Sequence, residues 1–272
     1  MELKDINVNF DFTTDTPHYW DGYWELKDGM GSSKMDPDSR SPMMRRYHQL
    51  LWSKPLPNGE VMELEDGRSK FYLKYNDLYL GSDSITVSFR YARNMKLIKE
   101  VARTLPDYRA FMEDFVRKSY TIGGEIIFPG IKGGMNQSRG CNRRICDRWD
   151  LTLECIRRYY KGEESPLSKT MDMPENKRFF DLFVDFKGYV DFFYLQDCVS
   201  PDYKSVLFWY MPQKQVGLFD DIDLHTQETY SFSIKDPMPD TVERYLAFID
   251  LELDFLQKRN ERIKDYCQAR AI

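Results

Sequence analysis

Alternating apolar and polar positions predict short strands in the first half of the chain. Residues 6–12 alternate in the way that is typical of a strand with one buried face. Similar runs predict strands at 60–64, 70–80, 85–89 and 125–128. Turn signals at Asp66-Gly67 and Gly81-Ser82 separate neighbouring strands, so we expect the strands to pair antiparallel.

Apolar residues at helical spacing predict helices at 43–52, 95–104, 107–120 and 138–160. The last is the longest helical pattern in the middle of the chain, with Ile145, Trp149 and Ile156 on one face. Another long helix should end the chain. Asp240 can cap its start, because Glu243 three residues later completes a capping-box pattern.

The remaining segments give weaker signals. Residues 13–42 are rich in turn residues, and residues 179–184 fit either a helix or a strand. Residues 189–195 and 205–211 favour strands. Helices and strands do not alternate regularly, which argues against doubly wound and barrel folds. We therefore expect a single α+β domain over residues 1–272, with a mixed, largely antiparallel sheet packed with a long central helix and a long C-terminal helix.

Composition narrows the class of protein. Of the 272 residues, 42% are hydrophobic and 15% are aromatic, which is too many for a disordered chain. The longest apolar run, at 206–211, is far shorter than the ~20 residues that span a bilayer, and the first residues do not form a secretory signal. Five cysteines without a Cys-x-x-Cys pair argue against a disulfide framework. These features predict a cytoplasmic protein with no membrane partner.

Charge is distributed unevenly along the chain. The formal net charge is −5, yet residues 90–161 contain 16 Lys and Arg against 8 Asp and Glu. A basic block of this kind attracts phosphates, nucleic acid or an acidic partner. Alternatively, it pairs with the acidic segment that follows it in the same chain, and the sequence leaves both readings open.

A glycine-rich turn after the strand at 125–128 is the first candidate site. Glycines let backbone amides approach an anion closely, and a helix N-terminus adds partial positive charge. The predicted anion-binding group consists of Lys132, Gly133, Gly134, Arg139, Arg143 and Asp147. Asp147 is expected one helical turn beyond Arg143, where its carboxylate would orient the guanidinium. The spacing matches neither common phosphate-binding glycine motif, so an ordinary turn before a helix is the alternative.

Histidines and carboxylates in the early part of the chain form the second candidate site. His18, His48 and Asp36 are the candidate catalytic residues, because imidazole and carboxyl groups can carry protons in general acid–base chemistry. A hydrogen-bonded structural histidine is the simpler alternative. The acidic run at 220–225 is more typical of an exposed loop than of a metal site, so no metal is predicted.

Five segments of the chain resemble a bacterial family of uncharacterised proteins. They read PHYWDGYWE at 17–25, SSKMDPDSRSPMMRRYH at 32–48, NQSRGC at 136–141, DRWDLTLECIRRYY at 147–160 and DFKGYVDFF at 185–193. The resemblance extends over nearly the whole chain, which favours one domain. It implies no activity, cofactor or catalytic residue.

These features lead to two hypotheses about function. The first is a phosphate-, nucleotide- or nucleic-acid-end-handling enzyme, in which basic side chains at the glycine-rich turn hold the anion and His18 or His48 carries a proton. It requires the early segment and the turn to lie together. The second is a non-catalytic protein that uses the basic block at 90–161 to bind nucleic acid or an acidic partner, or to assemble as a homo-oligomer. The sequence does not identify a cofactor.

Overall fold

The computed structural model of the protein describes residues 1–25, 33–69, 71–90, 94–136, 145–207 and 239–270. Within these ranges the chain forms a four-stranded antiparallel sheet and nine α-helices, which confirms the α+β prediction. The strands lie side by side in chain order, as β1 (Glu65–Arg68), β2 (Phe71–Tyr75), β3 (Leu78–Ser84) and β4 (Glu125–Pro129).

Two of the predicted strand segments lie in the sheet. β4 confirms the strand at 125–128. The run at 70–80 divides into β2 and β3, because Asn76 adopts a left-handed φ of 52° and makes a tight hairpin turn. The turns expected at 66–67 and 81–82 are wrong, since these residues lie within β1 and β3.

The strands predicted at 6–12, 60–64 and 85–89 are wrong. Residues 6–12 are turns and irregular backbone, residues 60–64 contribute one isolated bridge, and residues 85–89 belong to no strand. Alternate side chains of these segments still enter the core, namely Ile6, Val8, Met62, Leu64, Ile85 and Val87. Irregular backbone that packs on the core needs the same alternation of apolar residues as a strand. The alternation alone therefore does not distinguish irregular backbone from a strand.

The helices begin where side chains or prolines satisfy the first turn. In chain order they are α1 (Pro37–Arg40), α2 (Pro42–Trp52), α3 (Met95–Thr104), α4 (Tyr108–Ser119), α5 (Trp149–Lys161), α6 (Ser168–Met171), α7 (Pro174–Asp181), α8 (Phe186–Phe192) and α9 (Val242–Ala269). Predictions for α2, α3 and α4 are confirmed. Ser41 caps α2, because its hydroxyl accepts the N–H of Met44 at 3.0 Å, and Pro42 suits the first helical position.

The central helix is shorter than predicted in the part of the chain that the structure describes. α5 begins at Trp149, and residues 145–148 before it are not helical. The N–H of Arg148 bonds to the carbonyl of Cys146 at 2.8 Å, a tight turn that replaces the helical hydrogen bond. The start predicted at residue 138 lies outside the described ranges.

The strand predicted at 189–195 is wrong, because most of this segment belongs to the end of α8 and the turn after it. The carboxylate of Asp185 accepts the N–H of Gly188 at 2.7 Å and so begins the helix. A Cβ atom on Gly188 would lie 2.2 Å from the carbonyl oxygen of Phe183. Close packing, rather than a turn, therefore requires this glycine.

Two further segments differ from, or lie partly outside, what the sequence predicts. Residues 179–184, which the sequence left ambiguous, begin within α7 and continue into a turn. In the predicted strand at 205–211, Val206 makes an isolated bridge to Val199, and residues 208–211 lie outside the described ranges.

The C-terminal helix α9 is 28 residues long and packs against α3, α4 and the 3-10 helix Ile122–Gly124. Its cap is Thr241 rather than Asp240, since the Thr241 hydroxyl accepts the N–H of Arg244 at 3.3 Å. The expected long C-terminal helix is confirmed, with a start one residue later than the capping-box pattern indicates.

A buried arginine anchors α9 to the sheet. The Arg259 guanidinium donates to the carbonyl oxygens of Gly123 at 2.7 Å, Glu125 at 2.9 Å and Phe193 at 3.0 Å. The adjacent Asn260 accepts the N–H of Gly123 at 2.7 Å. Burial lowers the pKa of Arg259 to about 10, so the guanidinium stays charged at neutral pH. These bonds fix the start of β4 against the helix.

Buried apolar side chains form one continuous cluster. This cluster accords with a single domain over residues 1–272, which stays a prediction. Among the helices in the described ranges, none is both long enough and apolar enough to cross a lipid bilayer. The cysteines in those ranges are buried and free, namely Cys146, Cys155, Cys198 and Cys267.

Replacing Arg259 should strongly destabilise the fold. Arg259→Met keeps most of the side-chain volume but leaves three buried carbonyl groups without their donor, so we expect a loss of about 3–5 kcal/mol in the free energy of unfolding. Arg262→Met is the matched control on the same helix. Arg262 forms an exposed pair with Asp197, worth about 0–1 kcal/mol. Urea unfolding measures both variants, and equal losses would contradict the anchoring role of Arg259.

Candidate functional site

A cavity of about 240 Å³ lies where the early segment meets the glycine-rich turn. Its walls are the start of α1, the middle of β3 and the turn that follows β4. The side chains and backbone that line it belong to Asp36, Asp38, Ser39, Gly81, Ser82, Asp83, Pro129, Gly130, Ile131, Gly134 and Asn136. The two segments that the first sequence hypothesis requires to meet therefore do so in this cavity, which we call the acidic pocket after its three aspartates.

The start of α1 positions two of these aspartates. Asp36 is the N-cap, and its carboxylate accepts the N–H of Asp38 at 3.1 Å. Pro37 fixes the first helical residue. Asp38 is held from the sheet side as well, because the N–H of Ser84 donates to its Oδ2 at 3.2 Å. Both carboxyl groups are thus fixed by backbone before any ligand enters.

Asp38 and Glu125 form a pair of carboxyl groups in direct contact. Asp38 Oδ1 and Glu125 Oε1 are buried, and no donor group among the described residues reaches either oxygen. The interaction with Glu125 lowers the pKa of Asp38, whereas Asp38 raises the pKa of Glu125, as expected for two neighbouring carboxyl groups of which Glu125 holds the proton. A hydrogen bond between two carboxyl groups requires a proton on one of them. We call this arrangement the carboxyl pair and infer that it holds one shared proton.

A hydrogen-bond relay leads from the core to the carboxyl pair. Trp52 and His48 are one turn apart on α2, and the indole N–H donates to His48 Nδ1 at 2.8 Å. His48 Nε2 lies 2.9 Å from Ser82 Oγ, which in turn donates to Glu125 Oε2 at 3.0 Å. Ser82 reaches Glu125 because the two residues lie diagonally across the β3–β4 ladder.

The direction of every bond in the relay is fixed by its first member. Indole N–H can only donate, so His48 Nδ1 must accept and the imidazole proton sits on Nε2. Burial, helped by the charge of Arg259, lowers the pKa of His48 to about 3. The ring is therefore neutral at physiological pH, donates to Ser82 and orients its hydroxyl toward Glu125.

The environment favours protonation of the pocket carboxyls. Burial and the charge of Asp38 raise the pKa of Glu125 well above its usual range. Burial and the charge of Asp36 do the same for Asp38. Asp36 lies at the open mouth of the pocket, where partial loss of hydration and the charge of Asp83 raise its pKa to a lesser degree. Neighbouring carboxyl groups whose pKa values differ in this way can act as the acid and the base of one site.

The predicted anion-binding residues divide into three groups. Gly134 lines the acidic pocket, Gly133 has a left-handed φ of 74° in the same turn, and Lys132 is exposed beside them. Arg139 and Arg143 lie outside the described residues.

Asp147 precedes α5 and is not in a helix, so its expected position one helical turn beyond Arg143 is wrong. The backbone turn at 146–148 removes the regular spacing on which that expectation rests.

The three predicted catalytic residues lie in three different environments. Asp36 lines the acidic pocket. His48 is fully buried and contacts the pocket only through Ser82. His18 lies in an exposed turn with 72% of its side chain accessible, and its Nδ1 pairs with Asp21 at 2.6 Å. Asp36 and the glycine-rich turn therefore lie together in the acidic pocket. His48 is connected to the pocket through Ser82, and His18 does not line the pocket.

Sequence reasoning did not select Ser82, Asp83 or Glu125 as site residues. Glu125 is an acidic residue at the start of an otherwise apolar strand, β4, in which all five residues are buried. An ionisable group in such a strand needs a partner or a function, and that was the available signal. No group of three or more His, Cys, Asp or Glu side chains in the described ranges is arranged to hold a metal ion.

Comparison with known proteins assigns the family. A family model described as a family of unknown function (DUF6994) matches residues 6–263. The chain belongs to this family. The match confirms the resemblance over nearly the whole chain, whereas the bacterial origin stays a prediction. No curated protein matches the chain, and no solved structure does.

Glu125→Gln tests the shared proton. The folded pKa values of Asp38 and Glu125 lie above the unfolded values of about 3.9 and 4.3, so the folded state binds more protons and the free energy of unfolding falls as pH rises through that window. Glutamine keeps both hydrogen bonds, since its amide donates to Asp38 and its oxygen accepts from Ser82, but it cannot lose a proton.

We expect Glu125→Gln to match the wild type near pH 5 and to be the more stable protein at pH 8. The gain should be about 1.4 kcal/mol for each unit by which the folded pKa is raised. Urea unfolding at both pH values measures it, and other buried carboxyls such as Glu252 titrate in both proteins and cancel in the difference. A loss of the same size at both pH values would contradict the shared proton.

Proposed function

We propose that this protein is an acid–base enzyme that acts on a small organic cation, such as an amine or a guanidine, in the acidic pocket. One observation carries the proposal: a relay of oriented hydrogen bonds from Trp52 ends on Glu125 of the carboxyl pair, and Asp38 of that pair lines the pocket. The family match supplies no reaction, so the proposal rests on this geometry.

The charge of the pocket supports a cationic ligand. Asp36, Asp38 and Asp83 line a space of about 240 Å³, which admits only a small molecule. At an effective dielectric constant of 20, a carboxylate about 6 Å away attracts a cation by roughly 3 kcal/mol and repels an anion by the same amount. Ser39 and Asn136 on the walls add polar groups that can fix the orientation of the ligand.

The carboxyl pair supports proton transfer to or from that ligand. A bound cation favours the ionised form of nearby carboxyls, so its arrival weakens the hold of the pair on the shared proton. Asp38 can then give this proton to a leaving group, or take one from a nucleophile, while Ser82 keeps Glu125 oriented. His48 acts here as a neutral positioning residue and carries no proton itself.

Both hypotheses drawn from the sequence stay predictions. Phosphate or nucleotide binding at the glycine-rich turn stays a prediction that depends on Arg139 and Arg143, outside the described residues. Non-catalytic binding or assembly through the basic block stays one as well. Neither explains why carboxyl groups share a proton beside the turn, and for that reason the cationic substrate is favoured.

Isothermal titration calorimetry tests ligand binding. Agmatine and putrescine are the cationic probes, and inorganic phosphate and AMP are the anionic ones, each titrated at pH 7 in two buffers of different ionisation enthalpy. We expect the cations to bind and to release up to about one proton per ligand, because binding ionises the carboxyl pair. Binding of phosphate or AMP without binding of either cation would contradict the proposal and favour the anion hypothesis.

Two isosteric variants separate proton release from binding. Asp38→Asn and Glu125→Gln each leave one fixed hydrogen bond in the pair, so proton release should disappear in both while the fold is kept. Asp83→Asn is the control, since it removes a pocket charge outside the pair and should weaken binding without abolishing proton release.

Turnover tests the chemical part of the proposal. We expect proton NMR spectra of a mixture of amines and guanidines to show conversion of at least one compound by the wild type and not by Glu125→Gln. Binding without conversion of any compound would reduce the proposal to a cation-binding protein.

A further inference from the structure

A buried lysine lies on the far side of Trp52 from the relay. Lys54 follows the end of α2, with 6% of its surface exposed. Its Nζ donates to the carbonyl oxygen of Phe192 at 2.5 Å. In the described part of the chain, no carboxylate lies within ion-pair distance of this Nζ. A buried lysine without an anionic partner is rare, so its position calls for an explanation.

Aromatic rings enclose the Lys54 amine. Nζ lies 3.8 Å from the ring centre of Tyr194, 4.5 Å from that of Phe192, 4.9 Å from that of Tyr266 and 5.1 Å from that of Trp52. The rings exclude water from the amine on several sides and restrict its position.

A second cavity, of about 480 Å³, adjoins Lys54, and we call it the lysine pocket. Lys54 lines it together with Phe192 and Tyr266 from the ring enclosure. Two further basic residues line it, Lys187 and Arg270. The Lys187 ammonium is paired with Asp191, whereas Arg270 lies over the ring of Tyr266, 5.0 Å from its centre.

The surroundings favour the unprotonated form of the Lys54 amine. Burial is the largest cause that lowers its pKa well below the usual value, and the positive charges of Arg259 and Arg270 add to it. Cys267 and Asp191 act in the opposite direction, and the ring faces also favour the charged form, but burial and the two guanidinium groups outweigh them. A neutral amine has a free electron pair, which an ammonium lacks.

We propose that Lys54 is a nucleophilic lysine that forms a Schiff base with a small aldehyde carrying a negative group, bound in the lysine pocket with that group toward Arg270. The proposal is independent of the acid–base function of the acidic pocket. It rests on the enclosed amine, the adjoining cavity and the guanidinium at its edge.

The bonds and protons of this step balance. The Nζ electron pair attacks the carbonyl carbon, a C–N bond forms, and the carbonyl oxygen takes up a proton to become a hydroxyl group. The C–O bond then breaks, water leaves with the protons released by nitrogen, and a C=N double bond remains. No oxidant or reductant takes part, so the step needs only the aldehyde.

Reductive trapping in the full-length wild-type protein tests the proposal. Glyoxylate is the anionic aldehyde, and cyanoborohydride reduces any imine to a stable secondary amine. Peptide mass spectrometry then follows modification at Lys54 and at Lys187, the matched control in the same pocket. The hydrogen bond to Asp191 raises the pKa of Lys187, so at pH 7 we expect Lys54 to react at least about tenfold faster. Equal rates, or no modification of Lys54, would overturn the proposal.

Two further measurements separate reactivity from simple access. The rate at Lys54 should level off at a lower pH than the rate at Lys187, and coincident pH profiles would contradict a free amine at Lys54. Arg270→Gln should slow trapping of glyoxylate more than trapping of acetaldehyde, which has no negative group. An equal effect on both aldehydes would overturn the assignment of the anionic group to Arg270.

Discussion

A single buried positive charge organises this protein. Arg259 of α9 donates to carbonyl groups of Gly123 and Glu125 at the start of β4 and of Phe193 after α8, so it joins three segments that are far apart in the chain. A buried guanidinium is tolerated only when such acceptors surround it, so the segments must come together for the charge to be buried at all. The path of β4, the end of α8 and the position of α9 all follow from this requirement.

The same charge also contributes to the pKa shifts of its neighbours. It lowers the pKa values of both His48 and Lys54, together with the burial that is the larger cause for each. A neutral histidine can accept the Trp52 N–H while it donates to Ser82, which a protonated histidine cannot do. A neutral lysine has the electron pair that attack on a carbonyl group requires, and a protonated lysine lacks it. The residue that anchors α9 to the sheet therefore also favours the neutral forms of one side chain in each proposed site.

The sequence predicted most of the helices because their signals are local. Apolar spacing and Pro106 place α3 and α4, and the final helix follows from its cap and long apolar face. The candidate site, in contrast, is formed by residues that are far apart in the chain. Glu125 acquires its role from Asp38 and from Arg259, which is 134 positions away in the chain. Local patterns place the early segment and the glycine-rich turn as candidates, but they do not predict a contact between two carboxyl groups.

The end of α2 places Trp52 between the two pockets. Its indole N–H bonds to His48 on one side, and its ring lies 5.1 Å from the Lys54 amine on the other. Contacts through this one side chain therefore link Ser82 of the acidic pocket to Lys54 of the lysine pocket. Since thermodynamic coupling is reciprocal, a ligand that displaces this helix end from one pocket changes affinity in the other by the same factor in both directions. A protein with separate acid and amine sites would in that case respond to the two ligands jointly.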